Sequence, residues 1–568
     1  MVLPVTLEEL LKADWSHFDA FAKELAERPL TAENVEEWLD DWSQMAFRVT
    51  ELYNRLLVAT TRNTVDKAAE EQFNHFMDQI YPKAAEAEQL LKEKLLSSGF
   101  EPSGFEIPLR NFRAEADLFR KENLQLLAEE QKLANEYDKI AGAQTVEWEG
   151  QTLTVSQLQP LLQSNDREKR EKVWRISFER VLQDRQKIND LWNKLLEVRL
   201  KIADNAGRPD YRAYRWQQLL RFDYTPQDCL SFHQAIEEVV VPVTRRIYER
   251  RRQQLGVDVL RPWDLDVDPL GRDPLRPYQQ IDELRNGIAA IFNQVDPQFG
   301  EYYATLVREE LLDLDNRPNK APGAYSTDLQ FSKRPFVFCN SVGIHDDVQT
   351  LLHECGHAFH TFEVTPMRWS QQWLVGNEFC EVASMGMELL GSAYLTRDKG
   401  GFYTPQDAAR ALIEHLEKSI CFWPYMAVVD AFQHWVYENP QQASDSAACD
   451  ASWANLWERF MPGVDWSGLE AIRDTGWHRK LHIHTYPFYY IEYGLALLGA
   501  VQVWRNSLHD RKGAVAAYRR ALALGGTAAL PALYQTAGAR LAFDAATLGE
   551  AVELMEKTIL EQEKITGA

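Results

Sequence analysis

For most of its length the chain alternates apolar and charged positions at helical period. Segments such as Val35-Glu-Glu-Trp-Leu-Asp-Asp-Trp42 and Ala84-Ala-Glu-Ala-Glu-Gln-Leu-Leu91 repeat apolar residues three and four apart, so residues 5 to about 140 predict long antiparallel helices. Two short departures from that period predict strands. Residues 145–155 alternate with period two around Glu149-Gly150, as a hairpin does, and residues 324–331 and 334–340 read as two strands around Ser332-Lys333. A Pro-, Asp- and Gly-rich stretch over 256–277 predicts a loop. The expected fold is mostly α with a small sheet. A soft boundary separates an N-terminal helical region, 1–164, with the hairpin near 145–155, from a second region, 165–568.

One predicted helix carries chemistry. Val348, Leu351, Leu352, Cys355, Phe359 and Phe362 recur at i, i+3, i+4, i+7, i+11 and i+14 and form a stripe that should face a core. His353, His357 and His360 fall on the other side. In His353-Glu354-Cys355-Gly356-His357 the two histidines lie one turn apart and can converge on one ion, while Glu354 can reach a water at that ion. A catalytic zinc keeps three protein ligands and leaves a fourth position for water, so a third ligand is expected downstream.

Residues 377–390 supply it. Phe379, Val382, Met385 and Leu389 give this segment a helical stripe of its own, and Glu381 lies 24 positions after His357. Glu381 is assigned to the metal; Glu378, one turn earlier, is the alternative ligand. Glu388 follows by seven on the same face, and is read either as a carboxylate that orients a ligand or as a solvated one. His360 lies roughly 10 Å along the helix axis from His353, too far to share the ion, and is read as lining the cleft or supporting a ligand. Gly376 stands where thermolysin-like and aminopeptidase-like zinc sites carry glutamate, and the three-histidine metzincin pattern is absent.

The runs Asp347-Val-Gln-Thr-Leu-Leu-His353-Glu-Cys-Gly-His357-Ala-Phe-His360 and Phe379-Cys-Glu381-Val-Ala-Ser-Met-Gly-Met-Glu388 resemble the thimet oligopeptidase and oligoendopeptidase F family of zinc metallopeptidases, in its Pz-peptidase-like bacterial branch. Arg261-Pro-Trp-Asp-Leu265 and Leu481-His-Ile-His-Thr-Tyr-Pro-Phe-Tyr-Tyr-Ile-Glu-Tyr-Gly494 extend the likeness over most of the C-terminal two-thirds. Cys355 replaces the family's usual phenylalanine, a conservative change because cysteine packs as a small hydrophobe. The resemblance implies two helical lobes around a deep channel that admits short unfolded peptides, with a small β-sheet beside the zinc site, and makes 165–568 the catalytic region. It also implies a histidine and two tyrosines at the oxyanion. His482, Tyr486 and Tyr493 are the positions that fit, although the first spacing is one residue short and Tyr489 or Tyr490 could replace Tyr486.

The implied reaction is endopeptidase cleavage of oligopeptides with one Zn2+ per chain, a zinc-bound water as nucleophile and Glu354 as general base. The alternatives are a dipeptidyl carboxypeptidase and a non-catalytic zinc-containing peptide-binding protein. Composition narrows the partners. A net charge of −23, from 85 acidic and 62 basic side chains, disfavours nucleic acid and anionic membranes. Six scattered cysteines fit a reducing compartment, the N-terminus lacks a signal-peptide pattern, and no apolar run approaches a membrane span, so the expected location is the cytoplasm. Nothing in the pattern gives the oligomeric state.

Overall fold

The computed structural model describes residues 3–317, 319–321 and 323–566. Helices dominate: α1 (Val35–Arg62), α2 (Arg185–Asn205), α3 (Ile281–Val295), α4 (Pro297–Arg308), α5 (His345–Val364), α6 (Asn377–Gly391), α7 (Pro405–Glu438), the four-residue α8 (Leu481–His484) and α9 (Tyr490–His509) bear on the chemistry. Strands β1 (Thr145–Trp148) and β2 (Gln151–Thr154) form the expected hairpin. Its turn residues Glu149 and Gly150 both have positive φ, 50° and 79°, as a two-residue hairpin turn requires. The second sheet contains β3 (Leu312–Asp315), β4 (Tyr325–Leu329) and β5 (Arg334–Ser341) in the order β3-β5-β4; β3 pairs parallel to β5 and β4 antiparallel to it.

The chain divides into two compact units, each assembled from three stretches. Unit 1 comprises Met1–Ala116, Arg276–Ala408 and Gly499–Leu541; unit 2 comprises Asp117–Leu275, Ala409–Leu498 and Ala542–Ala568. The boundary expected after residue 164 lies within a stretch of unit 2, because sequence period reports helices and not which helices pack together. In unit 1, Trp38 and Trp42 of α1 are fully buried among apolar side chains that include Phe105 and Phe112. A second apolar body of unit 1 underlies α5: Phe359 stacks on Phe299 at 4.9 Å and meets Phe292 edge-on at 4.7 Å. In unit 2 three fully buried tryptophans have satisfied N–H groups. Trp192 donates to the Ala443 carbonyl, Trp423 to that of Gly494, and Trp477 to the Asp450 carboxylate, at 2.8–2.9 Å.

Among the described residues no cysteines are paired, and no helix is long and apolar enough to cross a membrane.

Candidate metal centre

The apolar stripe of α5 lies in the core as its period requires: Val348, Leu351, Leu352, Cys355 and Phe359 are fully buried. Asp347 fixes the start of the helix. Its carboxylate accepts from the backbone N–H groups of Val342, Gly343 and Ile344 at 2.7–2.9 Å and from the Tyr278 hydroxyl, which satisfies donors and places negative charge at the helix N-terminus.

Gly356, between the two histidines, lets α6 approach. A Cβ there would stand 2.6 Å from both the Ala383 carbonyl oxygen and the Ser384 Cα, so the α6 backbone occupies the space a side chain would need. The Tyr518 hydroxyl, buried in the same unit, donates to the Ala383 carbonyl and holds that turn of α6. The close crossing brings Glu381 to the histidines: its Oε2 lies 3.4 Å from His353 Nε2 and 3.7 Å from His357 Nε2. Metal bonds of about 2.0–2.1 Å at tetrahedral angles put ligand atoms about 3.4 Å apart. One ligand atom from each of His353, His357 and Glu381 lies within 4.8 Å of the others, so the donor set fits a zinc-sized ion with two nitrogens and one oxygen.

The surroundings prepare this geometry. Glu388 Oε1 lies 2.7 Å from His353 Nδ1, which places the Nδ1 proton between them and leaves Nε2 for the ion. Ser384 Oγ donates to Glu381 Oε2 at 2.9 Å. Burial disfavours a charged His353, yet the Glu381 and Glu388 carboxylates hold its pKa well above the usual histidine value. Burial likewise opposes ionisation of Glu381, and its contacts with His353 and His357 overcome that and keep its pKa below the usual range. For His357, burial dominates and its pKa falls to about 4. Burial pushes Glu354 up to about 7; the charge of His353 pulls it down while the Glu381 and Glu388 carboxylates raise it further. The Ser326 backbone of β4 adds a small lowering. Ser326 stands opposite Val337, whose N–H is given to the Leu311 carbonyl on the β3 side, so the two exchange no ladder bonds and the Ser326 N–H points away from β5.

The competing residues are placed elsewhere. Glu378 is buried in the first turn of α6 and does not join the three-ligand group. His360 is buried beside Phe379 rather than lining an open cleft; its Nε2 has no hydrogen-bond partner and burial lowers its pKa to about 3.

In unit 2, the segment expected to supply oxyanion donors is a turn between α8 and α9. His482 lies against three tyrosine rings, Tyr490 at 4.9 Å, Tyr489 at 5.8 Å and Tyr493 at 5.9 Å. Burial, with the Lys480 charge added, pushes its pKa down to about 4, so it is a neutral imidazole at physiological pH. Tyr486 stays out of this group: it is 54% exposed, with no ring contact to His482 among the described residues. The physical reason is the turn. Helix α9 begins at Tyr490, and Phe488 before it has φ 64°, so Tyr486 and Tyr493 do not share a helix face.

Three arginines hold that strained turn, and sequence spacing gave no sign of them. Arg199 of α2 donates to the carbonyls of Ile483 and His484, Arg215 to that of Pro487, and Arg221 to that of Phe488 and to Glu492. Gln433 of α7 accepts from the Phe488 N–H at 2.7 Å.

A second group with ligand-like spacing, Cys229, Asp430 and His434, is fully buried in unit 2. Arg212, which can only donate, lies 3.2 Å from His434 Nδ1, while His434 Nε2 stands 3.3 Å from Asp430 Oδ2 without a hydrogen bond. His233 bonds the same oxygen at 2.9 Å. Hydrogen bonds thus occupy Asp430 Oδ2 and His434 Nδ1, while Asp430 Oδ1 and His434 Nε2 have none.

The chain is similar to known peptidases. The family model described as Peptidase family M3 matches residues 160–552, and the one described as Peptidase M3 N-terminal domain matches residues 9–104. Oligoendopeptidase F, chromosomal, from Lactococcus lactis subsp. cremoris is 24% identical over 443 residues, 73% of this chain and 66% of that protein. Group B oligopeptidase PepB from Streptococcus agalactiae serotype III is 22% identical over 225 residues, 40% of this chain and 36% of that protein. The chain thus spans between about a third and two-thirds of the length of these curated relatives. The solved structure of Pz peptidase A with an inhibitor superposes with a TM-score of 0.87 at 27% identity, covering 99% of this chain and 98% of that one.

Proposed function

The chain belongs to peptidase family M3, and from that premise we propose that it is a zinc-dependent endopeptidase acting on internal bonds of short unfolded peptides. The convergence of His353, His357 and Glu381 beside Glu354 carries the reading. Zinc held by those three side chains supplies Lewis acidity, polarising the scissile carbonyl and bringing a water's pKa toward neutrality.

The chain's own residues do the rest. Glu354 takes the proton of the attacking water and passes it to the leaving amine, as a buried carboxylate beside the reacting groups can. Glu388 fixes the tautomer and orientation of His353. His482, neutral, and Tyr493 donate to the oxyanion, with Tyr489 or Tyr490 in the place expected of Tyr486. Strand β4, at the margin of its sheet, suits backbone pairing with an extended peptide, a mode that binds many sequences. Oligopeptides are then the substrates, one zinc is held per chain, and cysteines that form no disulfide suit the cytoplasm.

The test is mass spectrometry of products from a roughly ten-residue peptide, blocked at both termini, incubated with zinc-loaded wild type and Glu354→Gln. Internal cleavage by wild type alone is the expected result. Dipeptides released only from a free C-terminus would favour a dipeptidyl carboxypeptidase, and bound zinc without hydrolysis of any peptide would favour a binding protein.

A further inference from the structure

Lys480 stands at the head of the aromatic turn, and it is a cation without a counter-ion. Its Nζ lies 3.9 Å from the centre of the Tyr490 ring and 5.1 Å from that of Tyr425. Among the described residues no carboxylate comes within ion-pair distance, in a chain that carries 85 aspartates and glutamates. The neighbouring Arg479 is in the same condition: it donates to the Ile472 carbonyl and lies over the Phe178 ring. Burial alone pushes the Lys480 ammonium down to about 8, with no anion opposing it. Ring faces replace only part of the hydration such a group loses, so the position favours an arriving anion.

Tyr490 is a common wall. The His482 ring packs on it at 4.9 Å, and the Lys480 ammonium sits over it. We propose that Lys480 is a specificity-determining residue that binds a carboxylate of the peptide substrate, close to the bond that His482 and Tyr493 attend. The inference rests on the oligopeptidase reading. The carboxylate can come from the peptide's C-terminus or from an aspartate or glutamate side chain; the chemistry is the same, and the test separates the sources.

Three peptides of one sequence are compared: a free C-terminal acid, its amide, and the amide with one glutamate on the C-terminal side of the cut. Wild type should prefer one or both anionic peptides by about tenfold or more in kcat/KM, carried mainly by KM, as a charge-assisted hydrogen bond provides. Lys480→Met should bring that ratio close to one, and Lys480→Arg should restore part of it. Equal kcat/KM for all three peptides with wild type overturns the proposal without any variant, and so does an unchanged ratio in Lys480→Met. Which anionic peptide gains identifies the source. The Kd of the same peptides for zinc-loaded Glu354→Gln keeps the two readings apart. An anion preference in Kd without cleavage by wild type sinks the peptidase reading and leaves the Lys480 site; cleavage without any preference does the reverse.

Discussion

Histidines in the two chemistry-bearing regions meet opposite surroundings. On α5, His353 lies between two carboxylates, which draw positive charge to the ring and keep its pKa high. In the turn before α9, His482 is walled in by tyrosines and a lysine, and its pKa falls to about 4. The first environment is built to hold a cation, and the second to offer hydrogen bonds from neutral groups. Their construction differs as well. The proposed metal ligands ride on two helices locked by a glycine contact, whereas the proposed donors sit on a turn held from outside by Arg199, Arg215 and Arg221.

That contrast can be broken at several points. The largest effect is expected from Glu381→Gln, which leaves the two histidines one ligand short: bound zinc should fall from one per chain toward none and activity to background, read by elemental analysis alongside peptide cleavage. Full zinc occupancy in this variant would move the third ligand to Glu378. The turn is tested by a pair. Tyr493→Phe should lower kcat by about 100- to 1,000-fold with zinc retained, the cost of one oxyanion donor, while Tyr486→Phe should remain within about threefold. A reversal of the two would restore the sequence-based choice of Tyr486.

Smaller effects sharpen the metal side. Glu388→Gln should weaken zinc affinity by about 10- to 100-fold in a chelator competition, since His353 loses the partner that orients it. Gly356→Ala should cost about 1–3 kcal/mol in a denaturant titration, because the added methyl meets α6 backbone that has no room to yield. A neutral result there would mean that the helices are free to part.

The two regions also differ in how far the sequence disclosed them. The convergence of His353, His357 and Glu381 was legible because helical period converts spacing into a shared face, and the stripe from Val348 to Phe359 is buried as that period demands. The two strands around Ser332-Lys333 were legible for a similar reason, from local patterning and turn residues. The closeness of α5 to α6 was not, since Gly356 reads as any helical glycine until its neighbour is known. Around His482 the reading reached the residues but misjudged their geometry. The family's spacing paired Tyr486 with Tyr493 and left Tyr489 and Tyr490 open, whereas positive φ at Phe488 and the start of α9 at Tyr490 separate Tyr486 from the others. The arginines that enforce this φ lie more than 260 positions away, beyond any local pattern.

The central claim is that Glu354 performs the proton transfers of a peptide-cleaving metal site without itself holding the metal. Measuring zinc content and blocked-peptide turnover on the same preparation of Glu354→Gln tests it most directly. The account predicts one zinc per chain and a loss of activity of about 100- to 10,000-fold. A zinc-loaded Glu354→Gln protein that cleaves at a near-normal rate would contradict it.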